Sequence, residues 1–99
     1  MRGRTDFAGL PGAELVERGL RDLENGIESV EALVVSIGAP RLRAAGIPVD
    51  DPLPSPEHRL YALLAAEQED AAHGRYNALV RRLVSFERAL SAVDGARDA

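Results

Sequence analysis

From Ala13 onward the apolar residues fall at Ala13, Val16, Leu20, Leu23, Ile27, Val30, Val34 and Ile37, alternately three and four residues apart. That rhythm is a heptad seam, a single apolar stripe suited to lie along a second helix at a shallow angle. Pro11 stands where a first helical turn tolerates a missing N–H, and Gly38 followed by Pro40 ends the pattern. The spacing predicts one helix over about 11–37, roughly 40 Å long. Asn25-Gly26 offers a competing reading, in which it closes a first helix and Ser29 caps a second. The apolar register crosses Gly26 without a slip, which favours one long helix bent at that glycine.

The second half is punctuated more plainly. A short helix is expected at 40–45, closed by Gly46. From Ile47 to Pro56 the chain holds Pro48, Pro52, Pro54 and Pro56, so 47–56 is a loop. Ser55-Pro56-Glu57 then reads as N-cap, first helical residue and first-turn acid, opening a helix over 56–67. A second stripe, Tyr76, Leu79, Leu83, Phe86, Leu90 and Val93, predicts a helix over 70–92. Residues 1–8 and 94–99 lack periodicity and are expected to be flexible tails flanking one domain, 9–93. No strand-like alternation occurs. The fold class is all-α: an antiparallel helical bundle of three to four helices with one long N-terminal helix.

Gly12, Gly19 and Gly26 recur every seven residues on one flank of the first seam, and Glu17, Glu24 and Glu31 on the other. An interior helical glycine costs about 1 kcal/mol relative to alanine, so Gly19 implies close approach of another helix, from this chain or a second subunit. The glutamates read as a solvated flank paired with arginines. Leu15 and Leu33 lie off the seam and suggest burial on more than one face. A homodimer, with the long helices sharing a core, would cover what one short chain leaves open.

Composition narrows the chemistry. All 12 basic residues are arginine and cysteine is absent. Lysine nucleophiles, a Walker-type phosphate loop, disulfides, thiolate metal sites and cysteine catalysis are therefore excluded. The net charge of −4 and only four aromatics argue against a nucleic-acid binder. The longest apolar run, Ala62-Leu-Leu-Ala-Ala66, is far too short to span a bilayer, and no export signal is visible, so a cytoplasmic location is expected.

The polar cluster Glu67, Glu69, Asp70, His73 and Asn77 is the main candidate for chemistry. On a continuous helix Glu69, His73 and Asn77 share a face, and Asp70-Ala-Ala-His73 has the spacing of an acid–histidine metal pair. With Glu24 or Glu31 supplying a carboxylate from the facing helix, the layout resembles ferritin-like carboxylate proteins, with Asp70 where that family has glutamate. The resemblance implies a divalent metal (iron, manganese or magnesium) held by Glu24, Glu31, Glu69, Asp70 and His73. Glu28-x-x-Glu31 and Glu67-x-x-Asp70 are similar to the paired acids of all-α nucleotide pyrophosphatases, which implies magnesium. Val30–Ile47 also fits a short helix-turn-helix, with Arg41 and Arg43 available to phosphates or to Asp50 and Asp51.

No catalytic residue is assigned and no cofactor is expected from the leading interpretation. It is a small self-association or protein-interaction module, dimeric, in which Ala13, Val16, Gly19, Leu20, Leu23, Ile27, Val30, Val34 and Ile37 pack against Tyr76, Leu79, Leu83, Phe86 and Leu90.

Overall fold

The computed structural model describes the backbone of residues 9–98 and the side chains of residues 9–92. Among the described residues the chain is all-helical, with α1 at Ala13–Glu24, α2 at Val30–Ile37, α3 at Ala39–Ala44, α4 at Pro56–Glu67 and α5 at Ala72–Asp98. A single 3₁₀ turn, Glu69–Ala71, joins α4 to α5. No helix among the described residues is long and apolar enough to cross a membrane.

The predicted long helix over 11–37 is two helices. Gly12 is left-handed at φ +81°, so α1 begins one residue later, at Ala13. At the other end the Gly26 amide bonds to the Leu23 carbonyl at 3.1 Å and the Ile27 amide to Asp22 at 2.8 Å. Gly26 takes φ +70° between them, the backbone arrangement that closes a helix. Ser29 then starts α2: its Oγ accepts from the Ala32 amide at 3.0 Å and donates to Asp22 Oδ2 at 2.5 Å. Two complete caps outweigh an apolar register that a helix could have followed, and the chain folds back at Asn25–Ser29.

The reversal sets α2 antiparallel to α1 and brings Gly19 against it. A Cβ at Gly19 would collide with the Glu31 carbonyl oxygen and Val35 Cγ2, and would stand 2.9 Å from the Glu31 carbonyl carbon. The close approach expected of Gly19 is real, and it is made by α2 of the same chain.

The apolar run Ala32-Leu-Val-Val35 makes α2 the centre of the molecule, with every residue from Ala32 to Ser36 buried. On one side Val35 joins Val16, Leu20, Leu42, Ile47, Val49, Phe86 and Leu90. On the other, Leu33 and Val34 join Leu15, Leu60, Leu64, Ala72 and Leu83. A helix buried all round needs neighbours on several faces, and α1, α4 and α5 supply them. Leu15 and Leu33 are therefore covered within one chain.

Nor do the two predicted strips press lengthwise together. The first is bent back on itself, and the second divides its side chains, Leu83 going to one cluster, Phe86 and Leu90 to the other. Val16, Leu20 and Val34 are buried and Leu23, Val30 and Ile37 half-buried, but Ile27, at the reversal, is 49% exposed.

Ser36 fixes the proline-rich loop. It is buried; its Oγ donates to the Ala32 carbonyl at 2.8 Å and accepts from the Leu53 amide at 2.9 Å. Arg43 donates to the Val49 carbonyl at 3.1 and 2.7 Å, holding the same loop against α3. At the start of α4, Ser55 is left-handed at φ 46° and makes no side-chain cap, so Pro56 alone sets the first turn. The helix expected over 70–92 begins at Ala72 and runs on through Asp98, because no proline after Pro56 stops it and extending a helix is cheap once it has formed. Most of the expected 94–99 tail is thus helical; residues 1–8 and Ala99 lie outside the described residues. At 27 residues, α5 sets the longest dimension of the 45 × 26 × 20 Å molecule.

Candidate functional site

The acid–histidine cluster does not assemble. Glu69 and Asp70 lie exposed in the 3₁₀ turn, whose tighter winding takes Glu69 off the face it would share with His73 on a continuous α-helix. His73 is exposed in the first turn of α5, its Nε2 3.2 Å from Asn77 Nδ2. Glu24 is exposed at the end of α1 and Glu31 half-buried at the start of α2. Among the described residues no three histidine, aspartate or glutamate side chains are grouped to hold a metal ion.

The paired acids are engaged elsewhere. Glu28 accepts from Arg59 Nε at 3.0 Å and Nη2 at 2.5 Å, a fork-to-fork pair tying the α1–α2 turn to α4. Those bonds hold the Glu28 carboxyl below its ordinary range. Glu67 accepts from Arg75 at 2.9 Å across the α4–α5 corner. In each predicted pair at least one acid is therefore occupied by a guanidinium.

The α2–Gly38–α3 corner keeps the outline of a helix-turn-helix, but α3 has only six residues and Leu42 at its middle is buried. Arg43 is spent on the Val49 carbonyl, and Arg41 reaches towards Glu87 rather than Asp50 or Asp51.

What the fold does build is a groove. Between α3 and the far half of α5 lies an open cavity of about 410 Å³, floored by Leu42, Ala45, Val84 and Leu90. Glu87 enters its wall, with a side chain only 11% exposed; its nearest cation is Arg41 Nη1 at 3.8 Å, and the Arg41 side chain is 79% exposed. Burial pushes the Glu87 carboxyl above its ordinary range, and Arg41 draws it back by less. The corner leaves room because residue 38 is glycine: a Cβ there would stand 2.9 Å from both Glu87 Oε2 and Leu83 Cδ1.

The sequence reading missed Glu87. Its signal is slight: an acid in the line Val80, Val84, Glu87, Ser91, spaced four, three and four along α5.

On the α4–α5 seam the Tyr61 and Tyr76 rings stand 5.9 Å apart, tilted at 55°. Tyr76 is half-buried and its hydroxyl is pushed up by burial and by the Glu57 charge, whereas Tyr61 remains 40% exposed.

Among the described residues, fold and site together define a small all-helical protein with a shallow groove and a tyrosine pair of which Tyr61 is exposed. No family model, curated protein or solved structure matches this chain.

Proposed function

We propose that the protein is a self-association and protein-interaction module that works as a homodimer, without catalysis of its own. The observation carrying this reading is that, among the described residues, Ile27 and Tyr61 are left 49% and 40% exposed while the other large apolar side chains are at least half-buried. Tyrosine suits such a role, since a rigid amphipathic ring contributes contact area at small entropic cost and keeps its hydroxyl wet. Ile27 belongs to the apolar register of the first segment, and a second copy would bury what the turn exposes.

Sedimentation equilibrium at micromolar concentration tests the reading. The expected mass is twice the 10.6 kDa of the chain, with Ile27→Glu and Tyr61→Glu shifting it towards one chain. A single-chain mass at every concentration overturns it.

A further inference from the structure

We propose that the groove between α3 and α5 seats one basic side chain, an arginine or a lysine, presented by a partner protein chain, with Glu87 as its counter-ion. The proposal rests on the reading of the chain as an interaction module and adds the chemistry of the partner.

The groove offers an apolar lining and one carboxylate. Leu42, Ala45, Val84 and Leu90 give an apolar channel. An aliphatic stem of three or four carbons buries well along such a surface while its charged head seeks an anion. Glu87 is that anion. Among the described residues its carboxylate accepts no hydrogen bond, and Arg41, at 3.8 Å and beyond bonding distance, is mostly in solvent. A carboxylate largely withdrawn from water and short of donors is costly, and an incoming guanidinium or ammonium supplies charge-assisted N–H donors at that point. Arg41 and Arg88, the two arginines on the groove's lining, are both exposed and swing into solvent, where their charges are screened, at little cost. The cavity volume of about 410 Å³ accommodates one such side chain with space for its neighbours.

Other occupants fit less well. An acidic ligand attracted by Arg41 and Arg88 would bring a second negative charge against Glu87. A purely apolar one would seal the carboxylate without a donor.

Backbone amide NMR titration tests the assignment, using Nα-acetyl-arginine methylamide and Nα-acetyl-lysine methylamide as probes. The norleucine and glutamate analogues supply the apolar and anionic comparisons. The expected result is a saturable shift confined to Leu42, Ala45, Val84, Glu87 and Leu90 with the two basic probes alone. Glu87→Gln should weaken it at least about ten-fold. Ala44→Trp fills the mouth and leaves Glu87 in place; it should abolish the shift, and it decides the matter should the first variant fail to fold. Equal shifts with norleucine or glutamate, or basic-probe shifts that survive both variants, overturn the proposal. Sedimentation on the same samples separates the two ideas. A self-associating chain without a Glu87-dependent shift loses only the groove assignment, and a chain that stays single loses the dimer.

Discussion

Gly12, Gly19 and Gly26 share one heptad position, yet each has its own structural task. Gly12 meets α5, where a Cβ would stand 2.9 Å from the Arg82 carbonyl oxygen; Gly19 admits α2; Gly26 turns the chain in open space. Gly19→Ala separates close approach from helix propensity by sign. Propensity alone predicts a gain of about 1 kcal/mol, whereas the clash with α2 backbone predicts a loss of about 1–3 kcal/mol. A urea midpoint measurement should show the loss. Ser29→Ala should cost about 0.5–2 kcal/mol through the lost cap of α2, read in the same way.

Glu87 makes a prediction in pH. Its folded carboxyl is raised above 4.5, so the folded state holds that proton longer than the unfolded chain does. The stability this contributes is complete below 4.5 and is lost as pH rises through the raised value. Glu87→Gln removes the loss, and its melting temperature at pH 7 should equal or exceed that of the parent, the two converging in acid. Glu28 has the opposite sign: its contribution is present above 4.5 and is lost as pH falls through its lowered value.

At the scale of elements, α2 is the helix on which the others depend. Leu33 is fully buried at its centre, and Leu33→Ala should cost about 2–5 kcal/mol in a denaturant titration. Leu79→Ala, at the half-buried edge of the same cluster, should cost distinctly less. The helical class and the strongest punctuation were legible in the residues: Gly38, the proline-rich loop and Pro56 all mark real boundaries. The first reversal was written there too, in Asn25-Gly26 and Ser29, but an unbroken three-and-four spacing overrode it. Such spacing reports which positions are apolar and carries no information about chain direction. A hairpin whose exposed turn residue happens to be Ile27 keeps the same letters as a straight helix. The acid–histidine residues stand apart for a related reason: sharing one face requires α-helical winding through Glu69–Ala71, where the chain is 3₁₀. The groove was out of reach of pattern alone. It arises where α3 and α5 meet, bringing together residues such as Leu42 and Leu90 that lie nearly fifty positions apart.

For the whole molecule, the functional reading depends on one geometric fact: α1 and α2 double back at Asn25–Ser29. That reversal surrounds α2, turns Ile27 outwards and places Glu28 against Arg59. Among the described residues neither Glu28 nor Ser29 donates its amide to another backbone group. In a single helix through this region both amides would be held by the carbonyls four residues earlier. Native-state amide hydrogen exchange followed by NMR discriminates the two cases directly. The account predicts rapid exchange at Glu28 and Ser29 beside the slowest exchange in the protein at Leu33–Ser36. Protection at Glu28 and Ser29 equal to that of Leu20 and Val34 would contradict it.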